Sequence, residues 1–146
     1  MKVLLDTCVV SELRQPRCNP SVRAAVAGQA DDELFLSVLT LGEIRKGISL
    51  LADGRRRREL ERWLVGLARH FSDRIVRIDD QVATLWGEIC AAAQLNGRGI
   101  PAVDGLIAAT ALCHGMSLMT RNVDDFAATG VRLINPWAGP AVHDAG

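Results

Sequence analysis

The N-terminal run Val3-Leu4-Leu5-Asp6-Thr7 decides how the rest of the chain is read. Three apolar residues without polar alternation suit a strand buried on both faces, and Asp6 ends it abruptly. Strands of that kind belong to parallel sheets, whose neighbours are reached through crossover helices. Working outward, Leu34–Val38, Ile75–Ile78, Ser117–Thr120 and Val131–Ile134 repeat the short apolar run. Helical signals separate them. Asn19-Pro20-Ser21 starts a helix toward Ala30, with proline in the first turn. Thr40 and Glu43 have capping-box spacing, and Leu41, Ile44, Ile48 and Leu51 form one apolar stripe at helical period. Beyond Gly54-Arg55-Arg56-Arg57-Arg58, residues Leu60, Trp63, Leu64, Leu67 and Phe71 mark an amphipathic helix. Val82, Leu85, Trp86 and Ile89 mark another, which stops near Asn96-Gly97. Pro101 opens a helix that runs to His114-Gly115, and a short turn around Asp124–Ala127 separates the last two strands. No hairpin signal joins any two strands. The pattern predicts one α/β domain over residues 1–146, a three-layer αβα sandwich with a mainly parallel sheet of four or five strands.

The length of 146 residues suits one domain, which removes roughly 70% of its extended-chain surface from water. A hydrophobic content of 49% excludes a disordered chain, and 23% charged residues exclude a membrane-embedded one. No apolar run approaches the roughly 18 residues a spanning helix needs, and Asp6 interrupts any signal-peptide core. The expectation is a cytoplasmic protein with no membrane association. Cys8, Cys18, Cys90 and Cys113 form no CxxC pair, and His70, His114 and His143 offer no zinc-ligand spacing. Free thiols in or near a core are expected. The net charge of zero hides an asymmetry: Arg45–Arg77 holds ten basic residues against Asp53, Glu59, Glu61 and Asp73, an excess of six. The flanks are correspondingly acidic.

In open parallel sheets, ligands bind beyond the carboxyl ends of the strands. Asp6 stands at such an end, or serves as the N-cap of a Thr7–Leu13 helix. Asp104 has Ile100, Pro101, Ile107 and Ala108 as its helical neighbours and no cation among them. Either it meets free amides in a first helical turn, or its partner is a cation held by other segments. Glu43 completes a capping box with Thr40, pairs with Lys46, or joins the other acids. Asn122, Asp124 and Asp125 follow the fourth strand, with capping of the turn before Phe126 as their plain role. A parallel sheet brings Asp6, Glu43, Asp104 and Asn122 to one edge. Carboxylates about 4 Å apart repel by roughly 4 kcal/mol per pair at an effective dielectric of 20, so such a cluster titrates or binds a hard cation. Oxygen donors without His or Cys favour Mg²⁺ or Mn²⁺.

These residues resemble the PIN-domain nucleases, and within them the VapC-type toxins of bacterial toxin–antitoxin pairs. The resemblance is carried by Leu4-Leu5-Asp6-Thr7, by Leu36-Ser37 through Thr40, Gly42-Glu43 and Gly47, and by Asp104-Gly105-Leu106-Ile107-Ala108-Ala109-Thr110-Ala111. Thr120-Arg121-Asn122 with Phe126 completes it. Asn135-Pro136-Trp137 and the basic segment after Leu50-Leu51 are similar to the FitB branch. The likeness covers nearly the whole chain. It implies a PIN-like fold and a Mg²⁺-dependent endoribonuclease, with Mn²⁺ as a substitute ion. In-line hydrolysis of RNA would leave 5′-phosphate and 3′-hydroxyl ends. Asp6, Glu43 and Asp104 would be both catalytic and metal-binding, with Asn122 as the fourth catalytic member. Glu43 would act as ligand or water-positioning base, and Ser37, Thr40 and Thr120 would supply supporting hydroxyls. The implied partners are an RNA substrate, a cognate antitoxin and a second copy of the chain. Two positions depart from the family pattern. Cys8 stands where the family often has Asn, which removes an amide able to orient Asp6. Asn122 stands where some relatives carry Asp, so a second ion should bind weakly.

The alternative is a catalytically weak PIN-like protein that only binds nucleic acid or a protein partner, and retention of all three acids argues against it. Haloacid-dehalogenase-like chemistry needs a second Asp where Cys8 stands. Receiver domains need an acidic pair and a late Lys that this chain lacks.

Overall fold

Strand β1 (Val3–Leu5) is buried along its whole length, and Asp6 ends it by capping helix α1 (Thr7–Arg14). The computed structural model describes residues 1–139; residues 140–146, His143 among them, lie outside the described residues. Asn19 caps α2 (Pro20–Ala27), its side-chain oxygen accepting from the Ser21 and Val22 amides. A single 3₁₀ turn leads into β2 (Leu34–Ser37).

The junction after β2 corrects the capping-box expectation. Helix α3 (Val38–Ser49) starts three residues before Glu43's turn would have begun, with Ser37 as its cap and the Ser37 hydroxyl accepting from the Leu39 amide at 3.1 Å. Thr40 is already helical and buried, so it has no free amide to cap. Strand and helix meet without a loop because Ser37 ends the strand in an extended conformation that is also an N-cap conformation.

The chain continues through α4 (Arg55–His70), β3 (Ile75–Val76), α5 (Asp80–Leu95), α6 (Ala102–Cys113), β4 (Ser117–Met119), α7 (Val123–Phe126) and β5 (Leu133–Ile134). All five strands are parallel, in the order β3-β2-β1-β4-β5. From β1 the chain winds outward to β2 and β3, then returns to place β4 on the other side of β1. The winding direction therefore reverses between β1 and β4, and the ligand crevice of such a sheet lies at that point.

Alternating residues of β1 feed two separate cores, as a covered sheet requires. Val3 and Leu5 pack with Val9, Val22, Ile44 and Leu64 on one face. Leu4 packs with Ile107, Ala108, Leu118 and Phe126 on the other. On that second side α5 and α6 approach closely at Gly105, where a Cβ would lie 3.0 Å from the Trp86 ring.

Two further expectations need adjustment. Cys18 is buried, but Cys113 is on the surface. Arg74, counted within the basic middle, is buried, donating to the carbonyls of Asp31, Leu34 (3.0 Å) and His70 (2.8 Å). It ties the end of α4 to the start of β2 and contributes nothing to a surface charge field.

Candidate active site

Asp6 lies at the carboxyl end of β1, 6% exposed. One carboxylate oxygen accepts from the Thr7 amide at 2.9 Å, and so caps α1. The other accepts from the Thr120 hydroxyl at 2.8 Å, across the β1–β4 boundary. Asp6 therefore stands at the strand's carboxyl end and also caps α1 with one oxygen, while the Thr120 hydroxyl holds the other.

The gap expected behind Asp6 is filled. The Cys8 thiol lies 3.6 Å from the same Asp6 oxygen, a weak contact, while Thr120 supplies the strong one. The Asn122 amide in turn donates to the Thr120 oxygen at 3.0 Å, fixing the hydroxyl from behind. Burial, the largest effect, pushes the Cys8 thiol above its ordinary range, and the Arg121 amide at 3.5 Å only partly offsets this. Without a metal, Cys8 thus stays protonated at neutral pH.

Glu43 projects from the second turn of α3, exposed to solvent. Its carboxylate accepts from the Thr7 hydroxyl at 2.7 Å, and that hydroxyl lies 3.3 Å from the Thr40 hydroxyl. Among the described residues it forms no ion pair with Lys46. Thr7 is the link that sequence reasoning left unassigned. It sits next to Asp6 in sequence and couples α1 to α3, so one dipeptide orients two of the acids.

Asp104 stands in the first turn of α6, partly buried. Among the described residues its carboxylate accepts no hydrogen bond and meets no cation. Burial raises its pKa above the ordinary aspartate range, and the negative charges of Asp6, Asp125 and Glu43 raise it further, in that order. Three acids from three separate segments therefore act on a fourth. Asp125 was expected to cap the turn before Phe126, yet it caps nothing and lends its charge to this cluster. Asn122 occupies the N-cap position of α7 with its side chain exposed and free of capping bonds.

As they stand, no three acidic, imidazole or thiol groups among the described residues converge on one point at coordination range. The donor set itself, hard oxygens with unmet negative charge and a protonated thiol, fits a divalent cation such as Mg²⁺ or Mn²⁺.

A five-stranded parallel sheet with acids gathered at its switch point defines a class, and the PIN domain family model matches residues 3–131. The chain belongs to that family. It is 37% identical to Toxin FitB of Neisseria gonorrhoeae over 136 residues, covering 92% of this chain and 98% of that protein. It is 34% identical to VapC ribonuclease Y4jK of Sinorhizobium fredii over 136 residues, covering 92% of this chain and 97% of that protein. Among solved structures, FitAB bound to an IR36 DNA fragment superposes with a TM-score of 0.90 at 35% identity, over 97% of this chain and 99% of that one. No helix among the described residues is long and apolar enough to cross a membrane.

Proposed function

We propose that this chain is the toxin of a toxin–antitoxin pair and acts as a Mg²⁺-dependent endoribonuclease, with Mn²⁺ able to substitute. The observation that carries this is Asp104, a half-buried carboxylate influenced by three others and met by no cation among the described residues. Such an arrangement costs free energy unless a cation completes it. Asp6, Asp104 and Glu43 would hold the ion, Asp6 prepositioned by Thr7 and Thr120 and Glu43 by Thr7. A bound divalent cation there supplies neutralisation of charge on the scissile phosphate and acidification of the attacking water. Glu43, the most exposed of the three, is the acid with access to that water. Asn122 adds a neutral carbonyl oxygen from α7, and Asp125 on the same turn adds charge.

Relatives that carry the names toxin and ribonuclease, and a solved relative in the form of a FitAB complex, support both halves of the reading. An apolar cavity of about 240 Å³ between α1, α2 and α4, lined by Val10, Leu13, Val26, Trp63, Leu67 and Phe71, suits an apolar antitoxin segment. Labelled single-stranded RNA incubated with the purified chain tests the function. Cleavage in Mg²⁺ and none in EDTA is expected. Cleavage in neither would reduce the chain to a binding protein, and equal cleavage in both would remove the metal from the mechanism.

A further inference from the structure

Arg121 follows β4 and Trp137 follows β5, both beyond β1 on the side of the sheet away from β2 and α3. The register that pairs Leu5 with Met119 and Met119 with Ile134 aligns the exits of β1, β4 and β5 along one edge of the sheet. Asp6 leaves the first of these strands, Thr120 and Arg121 the second, and Asn135 through Trp137 the third. The Arg121 backbone is part of the site already, since its amide donates to the Cys8 sulfur at 3.5 Å.

Its side chain is exposed and, among the described residues, pairs with no carboxylate. Arg45 and Arg57 pair with Glu61, Arg55 with Glu59, and buried Arg74 with Asp31 and Asp73, whereas Arg121, like most arginines of the chain, makes no ion pair among the described residues. The Arg121 guanidinium instead lies over the Trp137 ring, 5.2 Å from its centroid. That ring is held in place. The Trp137 amide donates to the Asn135 side chain at 3.0 Å, the Ser21 hydroxyl donates to the Pro136 carbonyl at 2.8 Å, and the indole packs against the core. Stacking occupies a face of the guanidinium and leaves its N–H edge free, the edge that matches a phosphate.

The charge balance calls for such a group. Four acids gather at the crevice, and one divalent ion leaves a net negative field facing a polyanionic substrate. We propose that Arg121, positioned by stacking on Trp137, binds an RNA phosphate adjacent to the scissile one. This rests on the ribonuclease reading, and the roles differ: Arg121 touches the substrate, while Trp137 acts through Arg121.

The test is equilibrium binding of a fluorescent single-stranded RNA in EDTA, across a range of salt, by the full chain and its Arg121→Gln, Arg121→Lys and Trp137→Leu variants. Arg121→Gln should weaken binding about tenfold at low salt. It should also flatten the log–log salt slope by about 0.7, the value for one phosphate contact on a single strand. Arg121→Lys should keep the slope, and Trp137→Leu should weaken binding while keeping most of it. In Mg²⁺ the loss for Arg121→Gln should fall mainly on KM. If the parent chain binds and cuts RNA but Arg121→Gln matches it in affinity and slope, this inference is overturned and the ribonuclease reading stands. If the parent chain neither binds nor cuts RNA, both fall. Should Trp137→Leu fail to fold, the two Arg121 variants decide the matter alone.

Discussion

Burial first, and then the negative charges of Asp6, Asp125 and Glu43, lift the Asp104 pKa above that of a free aspartate. A raised folded-state pKa means the folded chain binds the proton more tightly than the unfolded one. The stabilisation is therefore complete below the ordinary value of 3.8 and is lost as pH rises through the raised one. Above the raised value the cation-free protein bears this cost in full. Asp104→Asn removes the charge and keeps the shape, so it should raise the melting temperature in EDTA at pH 7. The same change should abolish the thermal stabilisation that Mg²⁺ confers on the parent chain. Differential scanning calorimetry reads both. A lower melting temperature in EDTA would show that Asp104 is stabilised by something other than a cation. Asp6 stands out in the sequence because it ends an apolar strand, and Asp104 because no basic residue lies at helical spacing from it. Asp125 does not, because its part depends on how α7 turns toward α6, a tertiary fact that the DDF run does not encode.

Arg74 makes the corresponding point for the elements. The secondary structure was readable from period and punctuation: β1, the stripe of α4 and the Pro101 start of α6 all fall where apolar spacing puts them. Junctions were less readable. Ser37 and Thr40 are both acceptable N-caps by type, and which one caps depends on where β2 stops pairing with its neighbours. Arg74 is indistinguishable in sequence from a solvated arginine in a basic stretch, because the partners that bury it, the Asp31 and Leu34 carbonyls and the Asp31 carboxylate, lie about forty residues upstream. Removing it leaves those carbonyls buried without donors. Arg74→Met should cost about 2–4 kcal/mol in chemical denaturation, the range for breaking a buried charged hydrogen-bond network. A change below about 0.5 kcal/mol would mean that water replaces the guanidinium and that the α4–β2 tie is dispensable.

For the molecule as a whole, the sheet order set what sequence alone could not: that β4 sits beside β1, so that Thr120 reaches Asp6 and the acids share one crevice. Parallel topology was expected from uninterrupted apolar strands, but neighbour order is a matter of which loops cross which edge. The exposed apolar residues Val65, Leu95, Val103 and Leu112, with the second copy that the family resemblance implies, lead us to propose a homodimer. Light scattering at micromolar concentration should give twice the monomer mass, and a monomer mass throughout would contradict it. The central claim is that Asp6 and its companion acids hold the ion that cleaves RNA. Single-turnover cleavage of an end-labelled RNA in saturating Mg²⁺, by the parent chain and by Asp6→Asn, tests it most directly. The parent chain should give products with 5′-phosphate and 3′-hydroxyl ends, and Asp6→Asn, checked for an intact fold by circular dichroism, should cleave about 10²-fold or more slowly. Cleavage by Asp6→Asn at the parent rate would contradict it.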